Sequence, residues 1–287
     1  MRTPRRDRSG EDRNLRGARR GAPGNRQRGP RPARTDAPQL LVGAGHDVLY
    51  GRNAVTEALA GQREIYRLLL AEGMREDDRV QSLLRRARER DVAVERVPRL
   101  QLDDLTQGAN HQGVTLETGE YRYVDLEDLV KQRGTILVLD HVQDPQNLGT
   151  LLRAAEVSGA AGVVIARDRA AEVTPAVVNA SAGAVEHLDV AQETNIGRAL
   201  DRLGSRGWWS VGLDTGPNAS DLFATTLPTP IALVVGSEST GLSAGVHKRC
   251  EVVVSLPVRG TVASLNAATA GSIALFEILR REAAPAE

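Results

Sequence analysis

The sequence predicts an α/β protein, in which a small α/β domain precedes a larger one built on a mostly parallel sheet, both behind a basic arm. Three observations carry this. From Val48 onward, short β-branched runs alternate with helix-compatible stretches. Several later runs, TILVLD at residues 135–140 first among them, are apolar without alternation, the mark of strands buried on both faces. Residues 1–40 hold 12 Arg against four acids (Asp7, Glu11, Asp12 and Asp36), with almost no apolar periodicity.

The formal net charge of zero hides that asymmetry. The first 40 residues carry a balance of +8, and the rest carry 25 basic against 33 acidic side chains. Residues 1–45 cannot bury enough surface to offset chain entropy, so they are expected to form a disordered arm. Two readings of the arm stand. It is a phosphate-seeking arm for nucleic acid, which its composition favours, or a solvated tail without a dedicated partner. Other classes are excluded. No run of 18 apolar residues predicts a membrane span. The N-terminal arginines are not followed by the apolar stretch of a secretory signal. Cys250 is the only cysteine, so neither an intramolecular disulfide nor a cysteine zinc cluster is expected. No HExxH pattern occurs, and a metal site is not expected. A cytoplasmic protein is the expectation.

The small domain is placed at residues 46–120. Order is expected from about residue 48. Asn53 is placed to cap a helix whose apolar face includes Val55, Ala58 and Leu59. A strand follows at 65–70, a helix near 77–90, a strand at 93–97, a short helix at 100–105 and a strand at 113–117. HQGV at 111–114 is a turn-to-strand join, where His111 is either a hydrogen-bonded turn residue, the commoner case, or a ligand-facing one. Residues 121–133 form a polar linker with some helical character.

The larger domain spans 134–287. After TILVLD, a helix runs from about Asn147, its expected cap, to about Ser158. A second buried strand is predicted at 162–166, a helix at 175–184, a third strand at 187–190 and a helix at 196–206. Further strands follow at 208–213, 231–235 and 252–256, and a helix over 265–280 closes the chain. Ligands of such sheets gather outside the carboxyl ends of the strands.

Three of those strand ends carry polar loops. The first holds Asp144, Pro145 and Asn147, with Arg153 six residues beyond Asn147. The second, GSESTGL, holds Ser237, Glu238, Ser239, Gly241 and Leu242. The third holds Arg259, Gly260, Ser264 and Asn266. Singly, each has a plain explanation. Asn147 caps a helix, Arg153 pairs with Glu156, Glu238 is a solvated carboxylate, and Ser264 and Asn266 cap the last helix. Converging on one pocket, they supply an arginine, a glutamate, two asparagines and a serine. GSESTG is neither GxGxxG nor a P-loop.

Together, NLGTLLRAAEVSGA, LVVGSESTGL and LPVRGTVASLNAATAGSIALFE resemble, in order and spacing, the three motifs of the SpoU, or TrmH, RNA methyltransferases. VLYGRNAVTEAL and HQGV are similar to the ends of that family's small L30e-like RNA-binding domain. The likeness covers roughly residues 47–282 and leans towards the bacterial 23S ribosomal RNA guanosine 2′-O-methyltransferases of the RlmB type. The resemblance implies a SPOUT-type catalytic domain with a trefoil knot, formed here by about residues 234–268. It implies methyl transfer from S-adenosylmethionine to a ribose 2′-hydroxyl, with a guanosine in 23S rRNA as the first reading. A transfer RNA methyltransferase of the same fold and a non-catalytic RNA-binding protein are the alternatives. Gly236, Leu256 and Leu265 match cofactor-contacting positions. Arg153 matches the residue assigned as activating base, although a guanidinium stays protonated and also suits oxyanion or phosphate charge. Asn147, Glu238, Ser264 and Asn266 match the remaining motif positions. A homodimer is implied, with residues 267–279 offered to its interface.

Overall fold

A computed structural model describes residues 40–132, 134–261 and 264–283. The arm expected over 1–45 lies, as far as residue 39, outside the described residues. Leu40 already packs against the small domain's core, and Gly43 N donates to Glu117 Oε1 at 2.9 Å, so order begins before residue 48.

The small domain runs β1 (His46–Tyr50), α1 (Arg52–Ala60), β2 (Ile65–Ala71), α2 (Asp78–Glu89), β3 (Ala93–Val97), α3 (Arg99–Leu105) and β4 (Val114–Gly119). Its four-stranded sheet has the order β1-β4-β2-β3, with β4 antiparallel to both neighbours. Strand alternation divides β2 between two layers. Leu68 and Leu70 join the core with Val55, Val80 and Leu83 of α1 and α2, whereas Leu69 and Ala71 pack with Leu102 of α3. Asp77 caps α2, accepting from Val80 N at 3.0 Å. Asn53 caps nothing: α1 starts one residue earlier, behind Gly51, which offers no side chain. His111 is a turn residue. It is buried, its Nε2 lies 2.9 Å from Asp103 Oδ1, and its Nδ1 accepts from Gly113 N at 3.0 Å.

The larger domain runs α4 (Leu126–Leu129), β5 (Ile136–Asp140), α5 (Pro145–Val157), β6 (Gly162–Ala166), α6 (Pro175–Ala180), β7 (Val190–Glu193), α7 (Ile196–Ser205), β8 (Trp209–Leu213), β9 (Ser220–Asp221), β10 (Ile231–Gly236), α8 (Ala244–His247), β11 (Val252–Ser255) and α9 (Ala267–Glu282). Its seven-stranded sheet has the order β7-β6-β5-β10-β8-β11-β9, with every pairing parallel. TILVLD is indeed buried on both faces. Leu137 and Leu139 pack with α5 and α9, while Ile136 and Val138 pack with α7.

Two expected elements shift: the helix expected over 175–184 ends at Ala180, and the third strand lies at Val190–Glu193, because residues Ala184–His187 form a 3-10 turn. That turn begins where α6 stops: Ser181 Oγ bonds back to Val178 O, and Gly183 takes φ 88. Gly183 is also where the domains meet, for a Cβ there would lie 2.6 Å from Glu57 Cβ on α1. Across the same join, Asn179 Nδ2 donates to Tyr50 O at 3.0 Å, and Arg63 pairs with Glu186.

Candidate active site

The polar loops meet at the carboxyl ends of β8, β10 and β11, where a parallel sheet leaves its binding crevice. β10 ends at Gly236, and the next five residues fold back: Ser237 N donates to Gly241 O at 3.1 Å, and Gly241 N to Ser237 O at 3.0 Å. A Cβ on Gly236 would lie 2.1 Å from the Gly241 carbonyl carbon. Glycine is therefore required by the loop's own return.

Asp144, not Asn147, caps α5. Asp144 Oδ1 accepts from Gln146 N at 3.0 Å, and Pro145 occupies the first helical position, where its missing N–H costs nothing. Asn147 is thereby free to bridge. Its Nδ2 donates to Glu238 Oε1 at 2.6 Å, and its Oδ1 accepts from Asn266 Nδ2 at 3.0 Å. Asn266 does cap α9, its Oδ1 accepting from Ala268 N at 2.9 Å and Thr269 N at 3.1 Å. One relay thus runs from Glu238 through Asn147 and Asn266 into the start of α9. Both ends of each amide are occupied, which fixes the orientation of both.

Beside the relay is a cavity of about 380 Å³. Gly236, Glu238, Leu256, Ser264 and Leu265 all line it. Leu265 and Val258 stand 49% and 46% exposed in its wall, which leaves apolar surface for a ligand to cover. Ser264 makes no hydrogen bond among the described residues. Residues 213–215 at the end of β8 form a wall that sequence reasoning missed, although Leu213-Asp214-Thr215 is another apolar strand passing into polar loop. Asp214 Oδ1 there accepts from Thr215 N at 2.7 Å.

Arg153 is not brought to this cavity. Six residues rotate an α-helix by about 240° from Asn147. Arg153 accordingly stands on the exposed outer face of α5 with Gln146, Thr150 and Val157. It makes no ion pair among the described residues, with Glu156 or otherwise. Burial, helped by Asp140, Asp214 and Glu251, pushes the Cys250 thiol up to about 12. No group of three or more metal-ligating side chains gathers among the described residues. No helix there is long and apolar enough to cross a membrane.

Comparison with known proteins matches both halves of the chain. Residues 134–276 match the SpoU rRNA Methylase family, and residues 48–124 match the RNA 2′-O ribose methyltransferase substrate binding family. YacO of Bacillus subtilis, named for the TrmH family of tRNA/rRNA methyltransferases, is 37% identical over 242 residues, 82% of this chain and 96% of that protein. The SpoU methyltransferase AviRb of Streptomyces viridochromogenes, solved with its cofactor AdoMet, superposes with a TM-score of 0.69 at 25% identity, covering 83% of this chain and 91% of that one. An rRNA methyltransferase of Sinorhizobium meliloti gives a TM-score of 0.69 at 26% identity, covering 84% and 88%. With both halves matched and such relatives aligned along nearly their whole length, this chain belongs to the SpoU, or TrmH, family of RNA methyltransferases.

Proposed function

We propose that the protein transfers a methyl group from S-adenosylmethionine to a ribose 2′-hydroxyl of RNA, at a guanosine of 23S ribosomal RNA, as a cytoplasmic homodimer. The observation that carries this reading is the Glu238–Asn147–Asn266 relay beside the 380 Å³ cavity. The cavity suits the cofactor, lying within the range of about 300–1,000 Å³ usual for small-molecule sites. Leu256, Val258 and Leu265 offer apolar surface to an adenine, and the returning 236–241 backbone and Asp214 offer polar atoms to a ribose and an amino-acid group. The same reading takes residues 234–268 as the knotted segment. Its support is that β10 lies in the middle of the sheet while α9, further along the chain, returns to pack against α5.

The bound cofactor supplies an activated methyl on a sulfonium, already a good leaving group. What the chain must do is align the 2′-oxygen with it. Asn147 and Glu238 hold two loops in register for that alignment, and Ser264 presents an unpartnered hydroxyl at the cavity wall. Arg153, a guanidinium, answers the charge of the reacting oxygen or the adjoining phosphate. Because it stands off its own cavity, it acts at the dimer interface, towards the partner's cavity. That interface is the outward face of α5 and α9, where Val157, Ile273 and Phe276 are 58%, 37% and 46% exposed.

Ribosomal RNA is favoured by the separate domain matching a substrate-binding family and by the naming of the Sinorhizobium neighbour. The test is transfer of labelled methyl from S-adenosylmethionine to unmodified 23S rRNA, followed by mapping of the modified nucleotide. Label on transfer RNA instead would overturn the substrate while keeping the chemistry. Absence of cofactor binding by calorimetry would leave a non-catalytic RNA-binding protein.

A further inference from the structure

A second cavity, of about 330 Å³, lies against the same 237–241 loop as the first. Its other walls are Asp140, His141, Gln143, Arg169 and Ser243. Ser237, Ser239, Thr240 and Gly241 line both cavities, so a single short loop divides them.

Three features mark this cavity as built. Asp140 is 1% exposed and fully engaged: one oxygen accepts from Ser243 N at 2.7 Å, and the other lies 2.7 Å from His141 Nδ1. That contact orients the imidazole and leaves Nε2 for an outside partner. Second, His141 and Arg169 both take a left-handed backbone, with φ 61 and 55. Such conformations cost free energy outside glycine, persist only where the surroundings enforce them, and gather at ligand sites. Here the enforcement is visible. Ala171 N donates to Val142 O at 2.9 Å, and Gln143 Nε2 donates to Arg169 O at 3.2 Å, clamping one strained loop on the other. Third, Arg169 in the cavity wall is exposed and is in no ion pair among the described residues, so its guanidinium is open to an anion.

We propose that this second cavity binds a ribonucleotide of the RNA substrate adjacent to the methylated one, with Arg169 on its phosphate and His141 Nε2 hydrogen-bonded to the same nucleotide. The proposal rests on reading the first cavity as the cofactor site, because the two cavities share the 237–241 loop and a nucleotide in the second then lies next to one methylated at the first. A guanidinium fork matches phosphate geometry, and an imidazole nitrogen donates or accepts to suit a base or ribose.

The test uses full-length protein and an unmodified 23S rRNA transcript, with binding measured across a salt series. Arg169→Asn and His141→Asn suit it, because asparagine tolerates a left-handed backbone and keeps an amide at each position. Each is expected to weaken RNA binding about tenfold, and Arg169→Asn to lower the salt slope by about one. Arg169→Lys should recover the slope without the full affinity. Calorimetric affinity for S-adenosylmethionine should not move in any of the three. Wild-type RNA affinity and slope in Arg169→Asn would overturn the subsite. RNA binding needs no chemistry, so that result is independent of the first cavity, whose own reading fails if the unsubstituted protein gives no heat with S-adenosylmethionine.

Discussion

At Asn147 both ends of one amide are committed, one to Glu238 and the other to Asn266. These bonds are solvent-accessible, so losing them costs little stability, about 0.5–1.5 kcal/mol each. Their value is positional, since misplacing a reacting group by about 1 Å costs roughly 10²-fold in rate. Asn147→Ala is therefore expected to lower kcat/KM about 100-fold with a nearly unchanged melting temperature. Asn147→Asp should be worse, as it sets a second carboxylate against Glu238. Combining Asn147→Asp with Glu238→Gln restores a donor–acceptor pair and should recover part of the loss in methyl-transfer assays. No recovery in the double variant would show that the relay does not couple the loops. These residues were legible because polar groups stand out at the ends of apolar strands. The expected cap at Asn147 was wrong because Asp144-Pro145, three and two residues ahead, already satisfied the helix start. Arg153 was grouped with the others by motif, whereas six residues of helix turn it away.

The pair α5 and α9 is the element on which the proposed dimer depends. Both helices bury one face against the sheet, and Leu151 of α5 packs beside Gly271 of α9. Their outer faces carry Arg153, Val157, Ile273 and Phe276 in water. If Arg153 serves the partner's cavity, two inactive variants should complement. Mixing Arg153→Ala with Glu238→Ala subunits under exchange yields half mixed dimers, each with one intact site, or roughly a quarter of wild-type activity for a two-fold assembly. Activity no higher than either variant alone would place Arg153 in its own chain's site. Phe276→Asp should abolish complementation and give a monomer by light scattering. At this scale the sequence was most readable in the central strands, whose unbroken apolar runs admit one interpretation. It was least readable where tertiary hydrogen bonds set the boundary. β7 starts at Val190 because a 3-10 turn occupies the preceding apolar residues, and the two-residue β9 exists only through pairing with β11.

Across the whole molecule, the described residues from Leu40 onward form one compact unit, so the substrate-binding domain is held against the catalytic one. The join centres on Arg63, whose guanidinium lies 2.9 Å from both Glu186 and Asp47 and 5.3 Å from the Tyr121 ring centre. The Arg63 and Glu186 side chains are only 3% and 2% exposed. Burial pushes the Glu186 and Asp47 carboxyls above their ordinary range, and the Arg63 charge opposes this. Such a pair contributes little net stability but is costly to break from one side. Glu186→Leu alone, which leaves Asp47 as the only carboxylate on the buried guanidinium, should be destabilising in urea unfolding, by up to about 3 kcal/mol. Arg63→Met with Glu186→Leu should recover most of that, because Asp47 is partly exposed and can be rehydrated. A double variant as unstable as the single would show that the two charges do not act as a pair. What the pair then supplies is direction. Charges that must meet admit fewer docked orientations than apolar surfaces do, and a methyltransferase that grips RNA with one domain and modifies it with another depends on that orientation. The stability-restored double variant separates the two roles, and it is expected to fold normally yet lose kcat/KM on structured RNA while retaining cofactor affinity.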